Sequence, residues 1–150
     1  MTFRKNALPE LRTPITVVDA SVAVAWCFAD EINAYADAVG RAISKMRAYA
    51  PLIWPVEMWN AFLVGERHRR CSSADTARWM AYLRSLPIIV EGSLVDGNGE
   101  TVFALARTYN LSAYDATYLE LALRKGLPLA TLDKKLARAA QEARVEIYKP

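Results

Sequence analysis

Apolar residues in this chain fall into two kinds of run. Short, continuous runs rich in β-branched residues read as buried strands: ITVVD (15–19), IIV (88–90), PLATLD (128–133) and VEIY (145–148). Longer segments between them space their apolar positions as helices do. SVAVAWCF (21–28) begins one helix, with Ser21 near its N-terminus, and residues 31 to 49 have helical character through Ala34, Ala38, Ile43 and Met46. Pro51 and Pro55 frame LIW, a short strand or turn, and Pro55 suits the first turn of a helix running to about Arg70. Ser72 or Ser73 caps another helix that stops before Pro87, and a further one covers roughly 94 to 108. Ser112 opens a helix that Gly126 and Pro128 close, and KKLARAAQEA forms the last one.

Helices alternating with short buried strands predict an α/β domain around a mainly parallel sheet. Residues 1 to 14 read as an N-terminal arm and residues 15 to 150 as one domain, without internal repeat or long linker. Sheets of this kind bind ligands beyond the carboxyl ends of their strands. Asp19 and Asp133 both fall at such ends.

A second kind of placement concerns LSAYDATYLELALRKG (111–126). At 100° per residue, Thr117, Glu120 and Arg124 share one face of this helix, whereas Asp115 joins Leu119 and Ala122 on the opposite, aliphatic face. WPVEMWNAF does something similar. Glu57 shares a face with Asn60, Ala61 and Val64, away from the later charges Glu66, Arg69 and Arg70. Trp59 and Phe62 fall nearer the charged side.

Composition narrows the chemistry. With 150 residues and 53% apolar content the chain is long enough for a real core. No apolar run reaches the roughly 18 residues of a membrane helix, and the first fourteen residues lack a secretory leader, so a cytoplasmic protein is expected. Cys27 and Cys71 lie far apart and read as reduced thiols. A single histidine, His68, excludes any mechanism that needs a histidine pair. The net charge of +3 leans mildly toward polyanions, with cations grouped at Arg67, Arg69, Arg70 and at Lys134, Lys135, Arg138.

Each of the four acids also has a plain structural reading. Asp19 and Asp133 could cap the helices that follow them. Glu57 could favour the dipole of its helix from the first turn. Ser112 and Asp115 have the spacing of a capping box. Taken together, however, two acids at one sheet edge and two on inward helix faces predict a shared pocket. Each close pair of carboxylates at 4 Å repels by about 4 kcal/mol at an effective dielectric near 20. A divalent cation relieves that repulsion, and oxygen ligands without His or Cys favour Mg²⁺ or Mn²⁺. Such a centre activates water against a phosphodiester, with a basic exterior to hold the flanking phosphates.

The stretches VVDASVAVAW, PVEMWNA, LSAYDATYLELA and PLATLDKKLA, in this order and spacing, resemble the PIN domain family, in particular the VapC-like toxin ribonucleases of prokaryotic toxin–antitoxin pairs. The resemblance spans about residues 15 to 148. It implies a three-layer α/β/α sandwich and Mg²⁺-dependent endonucleolytic cleavage of RNA. It carries the acidic quartet onto Asp19, Glu57, Asp115 and Asp133, around one or two Mg²⁺ ions, with Ser21, Asn60 and Thr131 as supporting polar residues. It further implies a homodimer and a small VapB-like antitoxin, for which Trp59 and Phe62 would suit as contacts. The arm before Ile15 is not something the family requires.

A PIN-like module that binds RNA or a protein partner without cutting is the alternative. A haloacid-dehalogenase-like phosphatase would want Asp-x-Asp after the first strand, where Ser21 takes the second place. A receiver domain wants an acidic pair there, and VVDAS supplies one acid.

Overall fold

The computed structural model describes residues 13–92 and 98–150. The chain runs β1 (Pro14–Val18), α1 (Ala20–Cys27), α2 (Ala34–Lys45), β2 (Arg47–Pro51), α3 (Trp54–Arg67), α4 (Ser73–Ser85), β3 (Ile88–Glu91), α5 (Asn98–Tyr109), α6 (Ala113–Lys125), β4 (Leu129–Ala130) and α7 (Lys134–Glu142). The four strands form one parallel sheet in the order β3-β2-β1-β4. Helices cover it on both faces, as expected for a three-layer α/β/α sandwich. α1 packs against α2 and α3, while α6 lies on β1 and β2 and carries α5 and α7 beside it.

The strands follow from their sequences with one exception. PITVV is β-branched and buries Thr16, Val17 and Val18 in the middle of the sheet. β2 is different, because the helical pattern expected over 31 to 49 stops at Lys45. RAYAP then runs as a strand between β1 and β3, with Ala48 and Ala50 fully buried. Alanine is a helix former by propensity, so pairing on both edges overrides the local preference here. LIW is consequently not a strand but the turn into α3, whose first turn holds Pro55. VEIY contributes only the bridge between Leu129 and Ile147 at the outer edge of β4. Of the N-terminal arm, residues 1–12 lie outside the described residues, and Pro14 already belongs to β1. Residues 94–97 of the helix expected from 94 also lie outside them.

The helix ends are chemically specified. Ser72 and Asp75 complete a full capping box at α4. Gly126, at φ 63°, closes α6 in the left-handed conformation. The core is continuous across both faces and includes Val17, Ile43, Met58, Tyr118, Leu119 and Leu136.

Strand order fixes where a site can form. β1 pairs with β2 on one side and with β4 on the other, so the chain leaves β1 in one direction and returns beside it from the opposite end of the sequence. The crevice at the carboxyl ends of β1 and β4 is the topological switch point of the sheet.

Candidate functional site

Asp19 follows β1 at that crevice and is 5% exposed. It occupies the N-cap position of α1, yet its side chain makes no capping hydrogen bond. Instead its Oδ2 accepts from Ser21 Oγ at 2.5 Å and from Thr131 Oγ1 at 2.7 Å. The two hydroxyls are themselves held from behind. Ser21 Oγ accepts from the Leu132 amide and Thr131 Oγ1 from the Asp133 amide, both at 3.0 Å. The backbone of Asp19 in turn donates to Ala130 at 2.9 Å. The end of β1 and the end of β4 are thus bound into one unit around a carboxylate.

Asp133 reaches the same unit from β4. Its Oδ1 accepts from the Leu136 amide at 2.7 Å, so the capping role that its sequence position allowed is realised. Its other oxygen has no hydrogen bond among the described residues.

Asp115 enters from α6. Ser112 caps that helix by accepting from the Asp115 amide at 3.1 Å. The reciprocal half of a capping box, formed at Ser72 and Asp75, is not formed here. Glu57 enters from the first turn of α3 and is half-buried. Its Oε2 accepts a hydrogen bond from the hydroxyl of Tyr118, which is itself fully buried on α6.

The electrostatics tie the four acids together. Burial, first of all, pushes the Asp19 carboxyl above its ordinary range; the Ser21, Thr131 and Ala20 donors pull it back, and the charge of Asp133 pushes it up again. Burial likewise raises Glu57, against the Tyr118 hydroxyl, with the charges of Asp19 and Asp115 adding to the rise. Asp115 is raised by burial and by Asp133 and Asp19, and lowered by Ser112 and Lys135. Tyr118 is held far above the ordinary phenol range by burial and then by Asp19 and Glu57. Four stretches of chain, up to 114 residues apart, therefore share one negative field.

These acids differ from the others in how their charge is met. Among the described residues the salt bridges engage Asp30, Glu31, Asp75, Glu91, Glu120 and Glu142. Asp19, Glu57, Asp115 and Asp133 join none of them and are met by hydroxyls and a backbone amide. Glu120 shows the contrast within one helix. It is as buried as Asp19, but Arg124 donates to it from Nε at 2.7 Å, so its charge is compensated. The face shared by Thr117, Glu120 and Arg124 thus points away from the acid group, as the helical spacing predicted. That Glu120 is buried on it was not foreseen.

An uncompensated all-oxygen donor set fits a hard divalent cation by its chemistry. As placed, no three His, Cys, Asp or Glu side chains among the described residues stand close enough to hold a metal ion.

The supporting residues divide. Ser21 and Thr131 sit on Asp19. Asn60 is exposed and bonds to none of the four acids among the described residues. Phe62 is 3% exposed and packs between Phe28 and Trp79, with ring centroids 6.3 and 5.4 Å away, so it is a core residue and not an outer contact. Trp59 is 50% exposed. Tyr118 was missed. Its sequence trace is a tyrosine three residues after Asp115 in an aliphatic stripe, where a buried hydroxyl requires a polar partner.

A model of the PIN domain family matches residues 16–142, from β1 through α7. The fold is similar to the crystal structure of PAE2754 from Pyrobaculum aerophilum, with a TM-score of 0.64 and 24% sequence identity over 84% of this chain and 79% of that chain. No curated protein matches the chain.

Proposed function

The chain belongs to the PIN domain family, a nuclease-type fold, and from that premise we propose that it is a Mg²⁺-dependent endoribonuclease and the toxin half of a toxin–antitoxin pair. The observation that carries this reading is the charge balance of the switch-point crevice. Burial and neighbouring carboxylates raise the pKa of Asp19, Glu57 and Asp115 there, while no cationic side chain is hydrogen-bonded or ion-paired to any of the four acids among the described residues. A folded protein keeps such a group at a cost in stability, and a bound cation with an anionic substrate offsets that cost.

On this reading Asp19, Glu57, Asp115 and Asp133 hold the ion, with Mn²⁺ able to replace Mg²⁺. When bound, the ion supplies an activated water and neutralises charge on the leaving oxygen of a phosphodiester. The chain's own residues do the positioning. Ser21 and Thr131 together fix the rotation of the Asp19 carboxylate through one oxygen. Tyr118 fixes Glu57 in the same way. Asp133 spends one oxygen on the α7 cap and has the second to offer. Burial of Asp19 keeps bulk water from competing for its charge.

The partner half of the proposal draws on α3. Val56, Trp59 and Leu63 are each about half exposed and fall on one stripe of that helix, in step with an amphipathic partner segment. A small VapB-like antitoxin, bound to a cytoplasmic homodimer, is the partner proposed. No helix among the described residues is long and apolar enough to cross a membrane.

The test is cleavage of a mixed pool of RNA by the purified chain with Mg²⁺, with excess EDTA, and with the Asp115→Asn variant. Cleavage by the first alone supports the reading; equal cleavage in all three removes it. A PIN-like module that binds RNA or protein without cutting has support in the spacing of the acids as placed. RNA binding with no cleavage in any arm would select it.

A further inference from the structure

Beside the acid crevice runs a groove of about 270 Å³ between the C-terminal end of α5 and one face of α7. Both of its walls continue into candidate acids. On the α7 wall, Asp133 caps the helix, and Lys135 and Arg138 follow it at one-turn spacing, facing the groove together. On the other wall, Thr108, Tyr109 and Asn110 end α5. Asn110 adopts φ 53°, a left-handed conformation that asparagine tolerates, and the chain turns at once into Ser112 and Asp115.

The groove's charge is only partly spent. Arg138 donates to Glu142 at 2.9 Å across the groove wall. Lys135 joins no salt bridge among the described residues. Tyr109 is partly buried against the core and also lines the groove. Two other clefts are lined mainly by apolar side chains, such as Leu52, Val102 and Phe103 in one and Trp54, Met58 and Leu86 in the other, and offer a phosphate little. A cation, a partly buried aromatic residue and an amide, in a groove whose α7 wall begins two residues after the Asp133 cap, make a set suited to a single nucleic-acid strand.

Resting on the ribonuclease reading above, we propose that the α5–α7 groove holds the nucleotide next to the scissile bond, with its phosphate on Lys135 and its base against Tyr109. Lys135 and Tyr109 are then positioning residues. They act by holding the strand, so their loss weakens its binding.

Binding of a labelled single-stranded RNA oligonucleotide to the full chain tests this by fluorescence anisotropy, in Mg²⁺ and on an Asp115→Asn background so that cleavage does not intrude. Added Lys135→Ala should lower the slope of log affinity against log salt by about 0.7, one phosphate contact on a single strand. Lys135→Arg should restore it, and Arg41→Ala on distant α2 should leave it unchanged. Tyr109→Leu should weaken binding about 5- to 100-fold at an unchanged slope, and Tyr109→Phe should not. A thermal melt of each variant verifies the fold. An unchanged slope in Lys135→Ala, or equal losses in Lys135→Ala and Arg41→Ala, overturns the groove. If the wild-type chain nonetheless cuts RNA, the nuclease reading survives that result. If it cuts none while the Lys135 and Tyr109 effects appear, the groove stands as an RNA site and the nuclease reading falls.

Discussion

Tyr118→Phe isolates the least visible part of the acid group. The substitution removes one hydroxyl from a fully buried ring and leaves the packing of α6 in place. What is lost is the hydrogen bond to Glu57. A bond to an ionised partner is worth about 1.5 to 3 kcal/mol net. Glu57 is half-buried, so water replaces part of it, and about 1.5 kcal/mol is the appropriate figure. For a chain of this length that corresponds to a fall in Tm of about 3 to 6 °C. The measurement is a thermal melt at pH 8, with Tyr114→Phe as control because Tyr114 is 59% exposed. The Tyr118 hydroxyl also holds the Glu57 pKa down. Its loss moves the acid limb of any Glu57-dependent activity to higher pH and raises the Mg²⁺ needed for half-maximal cleavage about tenfold, as loss of a group that orients a metal ligand does. If Tm, acid limb and Mg²⁺ requirement all match wild type, Glu57 is not held by Tyr118 and the derivation fails.

Three other perturbations follow from the same geometry. Asp115→Asn should abolish cleavage and, in EDTA, leave Tm equal or higher, since it removes repulsion from Asp133 and Asp19; a large drop in Tm would mean that the carboxylate is structural. Without metal, the protein should gain stability as pH falls from 7 toward about 5. Asp19, Glu57 and Asp115 have folded pKa values above their ordinary ones, so the folded state binds the extra protons in that window. The acids held low by partners, Asp30, Asp75 and Glu91, lose stability only nearer pH 4. Denaturant midpoints across this range read the slope, and saturating Mg²⁺ should flatten it. Gly65→Ala should cost about 1 to 3 kcal/mol in a urea titration, because the added methyl would lie 2.6 Å from the Phe28 ring.

How far the sequence discloses this arrangement depends on the range of each interaction. β1 and β4 are legible because short apolar runs ending in an acid need little beyond themselves to be read. β2 is hidden because RAYAP has only Tyr49 to favour a strand, against two alanines and a proline; its two neighbours, β1 and β3, make it one. The inward direction of Asp115 follows from helical spacing within α6. The environment of Asp19 does not, since the hydroxyl that displaces its cap comes from Thr131, 112 residues away. Tyr118 is obscured for a like reason, with its partner 61 residues earlier. Phe62 is left open for the same reason: helical spacing sets it near the charged side of α3, and only α4, through Trp79, decides that this face is buried.

The bond between Thr131 and Asp19 also bears on when the protein becomes competent. A growing chain presents Asp19 early, but Thr131, which completes its surroundings, is made 112 residues later. Until then the crevice has one wall. For a chain proposed to cut RNA, synthesis on a ribosome is the moment of greatest exposure to the wrong substrate. A site whose closing segment follows its first acid at such a distance leaves the nascent polypeptide harmless for most of that interval.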